Sequence, residues 1–177
     1  MRIIVLQGSP NREGSTRIMA DAFADGASMA GHQVEVVDVA RLDIRSCIGC
    51  VKCGYEGPCV QRDAMGELRD KILASGMIVF ATPLYYFGMS SQLKTIIDRF
   101  CSFNRSLVDK RMKSALLSVA WDTDDWTFEA LVAHYRTLVR YLDFSNQGMV
   151  LGYGCGTPSL TINSSYVEQA RELGRSL

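Results

Sequence analysis

The chain has 177 residues, of which 47% are apolar and 21% are charged, a composition typical of a globular protein with one compact core. Nineteen basic residues balance nineteen acidic ones, so net charge gives no reason to expect binding to nucleic acid or to an anionic membrane. The first ten residues lack a signal-peptide pattern, and no apolar run is long enough to cross a bilayer. We therefore expect a cytoplasmic protein.

Predicted strands and helices alternate along the chain. Short apolar runs rich in β-branched residues predict buried strands, and apolar residues spaced three and four apart predict helices between them. The predicted strands are 2–7, 33–39, 76–82, 114–121 and 147–154, and the predicted helices are 15–30, 63–74, 91–100, 122–141 and 164–177. This alternation predicts a single α/β domain, 1–177, with a parallel sheet covered by helices on both faces and a cysteine-rich loop at 40–62.

The loop after the first strand, "GSPNREGST" (8–16), is the first candidate site. At the carboxyl end of a parallel strand, backbone N–H groups and the start of the next helix favour an anion. The side chains of Ser9, Asn11, Ser15 and Thr16 add donors, which suits a phosphate monoester. The loop lacks G-x-G-x-x-G and G-K-[ST], so a pyrophosphate or a triphosphate fits less well. The alternative is a polar turn that only caps the helix.

The loop after the third strand, "TPLYYFG" (82–88), is the second candidate site. Three consecutive aromatic residues, Tyr85, Tyr86 and Phe87, stand at the mouth of the predicted sheet, and Gly88 allows a close turn of the backbone. Aromatic side chains in that place are suited to wall a planar ring, with backbone N–H groups at the polar edge of the ring. The alternative is that one or two of these rings belong to the core or to a subunit contact.

Four of the six cysteines form a compact run with the spacing C-x2-C-x2-C-x5-C. These four are Cys47, Cys50, Cys53 and Cys59. The spacing is typical of ligands to a cubane iron–sulfur cluster, whereas structural zinc more often uses two separated C-x2-C pairs. Clustered thiols in a reducing compartment are seldom joined as disulfides. Free thiols in a loop shaped by glycine remain the alternative, and Cys101 and Cys155 are predicted to be buried apolar residues.

Taken together, these motifs resemble the flavodoxin-like NAD(P)H-dependent FMN reductase superfamily, and within it they are most similar to the iron–sulfur flavoproteins. The resemblance rests on "GSPNREGST", on the cysteine run followed by "RDAM", on "ATPLYYFGMSSQLKTIIDR" and on "ARELGRSL". It implies a flavodoxin-like three-layer sandwich with a five-stranded parallel sheet in the order 2-1-3-4-5. The sequence "AWDTDD" (120–125), with Trp121, departs from the family pattern, in which this loop is commonly rich in glycine.

The resemblance implies an enzyme that passes electrons from NAD(P)H through FMN to a quinone, a flavin or another small-molecule or protein acceptor. The flavin carries the chemistry, so no side chain is assigned as catalytic. The implied phosphate contacts are Ser9, Asn11, Ser15 and Thr16, and the implied ring contacts are Pro83, Leu84, Tyr85, Tyr86 and Phe87. Iron–sulfur flavoproteins carry a [4Fe–4S] cluster on this cysteine spacing, and its implied ligands are Cys47, Cys50, Cys53 and Cys59. The resemblance also implies a homodimer or homotetramer.

Three other functions stay open at this stage. The first is an electron carrier with FMN and a cluster but without NAD(P)H activity, although such carriers usually have an acidic face and this chain is neutral overall. The second is a dinucleotide-binding enzyme, in which Asp38 at the end of the second strand would bind a ribose. The third is a zinc-bearing interaction protein that uses the cysteine run.

Overall fold

The computed structural model describes all residues from 1 to 177 and contains one five-stranded sheet. Its strands are β1 (Arg2–Gln7), β2 (Gln33–Asp38), β3 (Met77–Pro83), β4 (Lys113–Val119) and β5 (Ser145–Gly152). Every neighbouring pair is parallel, and the spatial order is β2-β1-β3-β4-β5. The predicted flavodoxin-like order is therefore confirmed. It places the carboxyl ends of β1, β3 and β4 side by side.

Seven α-helices accompany the sheet. They are α1 (Ser15–Met29), α2 (Met65–Ala74), α3 (Ser91–Asp98), α4 (Asn104–Lys110), α5 (Glu129–Tyr141), α6 (Pro158–Ile162) and α7 (Tyr166–Arg175). Short 3₁₀ turns follow β2 at Val39–Arg41 and α3 at Arg99–Phe103. None of these helices combines the length and the apolar character that crossing a bilayer requires.

The two faces of the sheet bury separate hydrophobic clusters, because side chains alternate along each strand. In β1, Ile4 and Leu6 belong to the cluster that packs under α2, α3 and α5. Ile3 and Val5 point to the other face and belong to the cluster that packs under α1 and α7. All four side chains are fully buried. This two-sided burial explains why the strands read as uninterrupted apolar runs in the sequence.

Helices α1 and α7 meet at glycines. A Cβ atom on Gly26 of α1 would lie 1.9 Å from the carbonyl oxygen of Arg171, and one on Gly174 of α7 would lie 2.2 Å from the carbonyl oxygen of Phe23. The backbones thus approach more closely than any side chain would allow. The last helix of the chain is held against the first by this contact, and Ala170 is buried in it.

Several predicted helix boundaries were wrong. The helix predicted to begin at residue 122 begins at Glu129, because the Asp122 carboxylate instead accepts the N–H groups of Thr123 and Asp124 in a turn. The helix predicted over 91–100 ends at Asp98, and α4 and α6 were not predicted. The helix predicted over 63–74 begins at Met65, and the Asp63 carboxylate accepts the Met65 N–H just before it.

Candidate functional site

The loop between β1 and α1 forms one wall of a cleft of about 300 Å³ at the carboxyl edge of the sheet. We call it the sheet-edge cleft. Its lining includes all four polar residues predicted from this loop, namely Ser9, Asn11, Ser15 and Thr16. Helix α1 begins after Gly14, and no side chain caps it. The N–H groups of Ser15 and Thr16 are therefore free to meet a ligand, whereas the Arg17 N–H donates to the Gly14 carbonyl at 3.0 Å. The helix dipole favours an anion there.

Hydrogen bonds within this loop determine which donors remain for a ligand. The buried Gln7 side chain accepts the N–H of Ser9 at 2.6 Å, and the Ser9 hydroxyl accepts the N–H of Asn11 at 3.1 Å. The Asn11 side-chain oxygen accepts the N–H of Glu13 at 3.2 Å. These hydrogen bonds stabilise the loop and use the N–H groups of Ser9, Asn11 and Glu13. An anion would thus be held mainly by the first turn of α1, with its N–H and hydroxyl groups.

Two arginines near the loop are engaged elsewhere. Arg17 donates to the Asp21 carboxylate at 2.7 Å and to the Asp38 carboxylate at 3.3 Å, and Arg12 lies 3.9 Å from Asp38. Neither arginine lines the sheet-edge cleft. Positive potential in the cleft therefore comes from the helix terminus. The carboxylate of Asp38 is paired with both arginines, which weakens its case as a ribose-binding acid.

The loop after β3 supplies a second wall of the cleft. Pro83, Leu84 and Tyr85 line it, and the N–H of Leu84 donates to the Val119 carbonyl at 2.8 Å. Tyr86 and Phe87 do not line it. They form the tip of a two-residue turn closed by reciprocal hydrogen bonds of 3.1 Å between Tyr85 and Gly88, with left-handed φ angles of 45° and 63°. Of the five ring contacts predicted from the sequence, three line the cleft. The other two lie at the tip of a neighbouring hairpin.

The side chains at this hairpin tip are on the surface. Tyr86 is fully exposed to solvent, and Phe87 packs against Trp126 with ring centroids 5.2 Å apart. Left-handed backbone is unfavourable for aromatic residues, so Tyr86 and Phe87 adopt a strained backbone conformation in this turn.

A third wall comes from the loops after β4 and β5. It contains Trp121 and Gly156, which are far apart in the chain. The indole ring lies directly on the glycine backbone, because a Cβ on Gly156 would be 2.0 Å from the ring atom Cε3. The N–H of Gly154 donates to the Asp122 carbonyl at 3.0 Å and ties the two loops together. Cys155, buried as predicted, also lines this wall.

A second cavity, of about 320 Å³, lies beside the loop that precedes α2. We call it the cysteine pocket. Its lining includes the four cysteines of the compact run, Cys47, Cys50, Cys53 and Cys59. The remaining lining is largely apolar, with Ile48, Val51 and Tyr55 among the contributors. No three histidine, cysteine or acidic side chains come close enough together to hold a single metal ion.

Cys101 also lines the cysteine pocket, so its prediction as a simple buried residue was wrong. Its Sγ lies 4.0 Å from Sγ of Cys47, and the Cys53 thiol donates to the Cys101 carbonyl at 3.8 Å. Burial, together with the neighbouring Cys47 and Cys53 sulfurs, raises the pKa of Cys101 to about 12. No local sequence pattern indicates this position, because it depends on where the turn after α3 lies in the fold.

A buried ion pair ties together both ends of the cysteine-bearing loop. Arg99 donates to the Asp63 carboxylate and to the Arg45 carbonyl, each at 2.7 Å. Asp63 also accepts the N–H of Arg45 and of Met65, both at 3.1 Å. Burial raises the pKa of Asp63, but the hydrogen bonds from Arg99, Arg45 and Met65 outweigh it, and the net pKa is lowered. No sequence pattern predicts this pair, because its two residues are 36 positions apart.

Helix α3 connects the two cavities. At its start the Ser90 hydroxyl donates to the Gly8 carbonyl at 2.7 Å, directly beside the loop of the sheet-edge cleft. Its last residue, Asp98, lines the cysteine pocket, and the turn that follows carries Arg99 and Cys101. One short helix therefore fixes both sites with respect to each other.

Comparison with known proteins identifies the family. Residues 1–143 match the family described as NADPH-dependent FMN reductase. The chain belongs to this family. An iron–sulfur flavoprotein of Archaeoglobus fulgidus is 36% identical over 103 residues, which cover 58% of this chain and 47% of that protein. The chain spans about half the length of the iron–sulfur flavoproteins that head the comparison.

Solved structures share the fold along the whole chain. An NAD(P)H:quinone oxidoreductase from Methanothermobacter marburgensis matches with a TM-score of 0.79 at 22% identity, covering 99% of this chain and 95% of that one. An FMN-dependent NADH-azoreductase from Bacillus anthracis, solved in complex with FMN, matches with a TM-score of 0.77 at 13% identity, covering 99% of each chain. At such identities these likenesses establish the fold, and the family match confirms the resemblance drawn from the motifs.

Proposed function

We propose that this protein is an FMN-dependent oxidoreductase that passes electrons from NAD(P)H to a quinone, a flavin or another acceptor. The observation that carries the proposal is the composition of the sheet-edge cleft. An uncapped helix start with the hydroxyls of Ser15 and Thr16 faces the same space as Tyr85 and Trp121. Donors for a phosphate and aromatic walls for a planar ring are the two requirements of FMN. Membership of the FMN reductase family supports the same ligand.

The residues of the cleft have distinct roles in this proposal. Ser9, Asn11, Ser15 and Thr16 hold the phosphate, while Pro83, Leu84 and Tyr85 bound the ring. Bound FMN supplies the chemistry, which is acceptance of a hydride and release of electrons singly or in pairs. The protein then has to bind, orient and shield the cofactor, so no side chain is needed as an acid or a base.

We propose that Tyr86 and Phe87 act at the rim of the cleft rather than in its lining. Both stand exposed at the hairpin tip beside Tyr85. In a homodimer or homotetramer, such a tip would meet a second subunit near the outer edge of the ring. Exposed aromatic residues next to a ligand cleft favour this arrangement.

We further propose that the cysteine pocket holds a [4Fe–4S] cluster on Cys47, Cys50, Cys53 and Cys59. The donor set supports this, because these thiols line one cavity with no competing histidine and thiolate is the ligand that such clusters use. The names of several relatives support it as well. Six cysteines without a disulfide suit a reducing compartment, and we propose the cytoplasm.

Anaerobic purification with added FMN, followed by dialysis, tests the proposal. We expect the protein to retain a flavin absorption spectrum, to contain iron and sulfide, and to oxidise NADH or NADPH faster when a quinone is present. Protein that is colourless after dialysis would overturn the FMN assignment. Protein that keeps FMN but does not oxidise either nucleotide would instead favour the electron carrier, and zinc in place of iron would remove the cluster.

A further inference from the structure

Cys101 reaches the cysteine pocket from a different part of the chain than the other four cysteines there. It lies 54 residues beyond Cys47, in the turn Arg99–Phe103. The Sγ atoms of Cys47 and Cys101 are 4.0 Å apart, and theirs is the one sulfur–sulfur contact between cysteines that meets the geometry of a hydrogen bond. Cys53 also lies beside Cys101, but its thiol donates to the Cys101 carbonyl oxygen rather than to the Cys101 sulfur.

The two sulfurs differ in exposure and in the backbone that carries them. A disulfide has a sulfur–sulfur distance of about 2.05 Å, so the two atoms must approach by about 2 Å. Cys47 is exposed and stands on backbone that belongs to no helix or strand. Cys101 sits on a turn that the buried Arg99 side chain anchors to Asp63. Cys47 is thus the more accessible partner, and Cys101 is the partner on the anchored turn.

We propose that Cys47 and Cys101 form a reversible disulfide when the pocket holds no cluster. With hydrogen peroxide as oxidant, the Cys47 thiol becomes a sulfenic acid and one water is released. The Cys101 sulfur then attacks the Cys47 sulfur, the S–O bond breaks, and a second water leaves with the proton of Cys101. Two thiols supply the two electrons that reduce one peroxide to two waters.

This disulfide would control whether a cluster can be assembled in the cysteine pocket. It removes Cys47 from the four thiols assigned to the cluster, so iron and sulfide cannot be inserted until a reductant restores the thiol. This role rests on the proposed cluster, whereas the disulfide itself depends only on the two cysteines.

Peptide mapping of the full-length, FMN-loaded protein tests the disulfide. Cluster-free protein is treated with hydrogen peroxide, blocked with N-ethylmaleimide and digested with trypsin without reductant. Cleavage at the basic residues places Cys47 and Cys50 on peptide 46–52, Cys53 and Cys59 on peptide 53–62, and Cys101 on peptide 100–105. We expect peptide 46–52 linked to peptide 100–105, and reduction should release both.

Two variants assign the bond. Cys50→Ser should keep the link, because Cys50 shares the peptide with Cys47 but has no sulfur contact with Cys101. Cys101→Ser should lose it. A link between peptides 53–62 and 100–105, a link between 46–52 and 53–62, a bond within 46–52, or alkylation of all six cysteines in the oxidised wild type would overturn the proposal.

A parallel sample reconstituted with iron and sulfide separates this inference from the proposed cluster. We expect cluster absorption in that sample and little of the linked peptide after peroxide, since Cys47 is then a ligand. If no cluster absorption develops, the cluster assignment fails, and the peptide map of both samples still decides whether the disulfide forms. Abundant link in a sample that retains its cluster would overturn the proposed competition.

Discussion

The guanidinium of Arg99 lies 2.7 Å from the carboxylate of Asp63, and the two side chains are only 1% and 2% exposed. Through this pair and the Arg45 carbonyl, the turn after α3 holds both ends of the loop that carries the cysteines. A buried pair of this kind is costly to break, because one partner is left as an uncompensated buried charge. The integrity of the cysteine pocket therefore depends on two residues that are not among its thiols.

Replacing Asp63 with Asn tests this dependence. We expect a loss of about 3–5 kcal/mol in the free energy of unfolding, because Arg99 keeps its charge in a buried site. Urea denaturation followed by circular dichroism measures the loss. The matched control is Asp109→Asn, which removes a partner of Arg105 at 3.9 Å with both side chains more than 70% exposed. That change should cost less than about 1 kcal/mol. Equal losses in the two variants would show that the buried pair is not a stabilising contact.

The pH dependence of stability should report the same carboxylate. The pKa of Asp63 is lower in the folded protein than in the unfolded chain, where it is about 4. The contribution of Asp63 is therefore fully present above about pH 4 and is lost as pH falls through its folded pKa. We expect the stability difference between wild type and Asp63→Asn to shrink below about pH 4. A difference that stays constant from pH 7 to pH 3 would contradict the pairing.

The proposed binding of phosphate by the first turn of α1 predicts a selective effect of Thr16→Val. A hydroxyl that donates to a charged group contributes about 1.5–3 kcal/mol, so the Kd for FMN should rise about 10- to 100-fold. The Kd for riboflavin, which lacks the phosphate, should hardly change. Quenching of flavin fluorescence measures both constants. Thr137→Val, on the outer surface of α5, is the control and should leave both ligands unaffected. Equal weakening of both ligands would point away from a phosphate contact.

The stacking of Trp121 on Gly156 predicts that Gly156→Ala moves the indole ring. An added Cβ would lie 2.0 Å from the ring, and the ring can shift because it is 74% exposed. Since the chain has two tryptophans, the measurement is made in a Trp126→Phe background, where all indole emission comes from Trp121. We expect an altered emission spectrum and weaker FMN binding with little loss of stability. Gly66→Ala, where no atom lies within 4 Å of the added Cβ, should change neither signal.

The glycine contact between α1 and α7 predicts that Gly26→Ala is destabilising. The new methyl group would meet the Arg171 carbonyl at 1.9 Å, and overpacking of this kind costs about 1–3 kcal/mol. Thermal unfolding should show a lower Tm. Gly66→Ala again serves as the comparison, because alanine in an unobstructed helix is neutral or stabilises by up to about 1 kcal/mol. A Tm for Gly26→Ala equal to that of wild type would mean that α7 separates easily from α1.

The sheet could be predicted from the sequence because each strand carries its own signal. Buried runs such as 2–7 and 77–83 are apolar on both faces, and the order of strands followed from the family resemblance. The loop of the sheet-edge cleft was predicted for a similar reason, since its polar residues lie close together and follow directly after the first strand. Helix starts were harder to predict. The segment 122–128 is compatible with a helix or with a turn, and only the hydrogen bonds to Asp122 show that it forms a turn.

Contacts between distant segments could not be predicted. Nothing in the local sequence indicates that Trp121 lies on Gly156, that Arg99 meets Asp63, or that Cys101 joins the other thiols. Each of these depends on where two separate loops end in space, which only the packed fold determines. The cysteine spacing indicated a site, but the fifth thiol and the ion pair that holds the site together came from the structure.

Helix α3 has eight residues and so a length of about 12 Å, with Gly8 contacted at one end and Cys101 just beyond the other. A helix turns by about 100° for every residue. Inserting a single residue into it would swing Arg99 away from Asp63 and carry Cys101 out of its cavity in the same step. The spacing between the two cavities can therefore change only in whole-residue steps, each with its own rotation. A connecting loop of variable length would allow smaller adjustments.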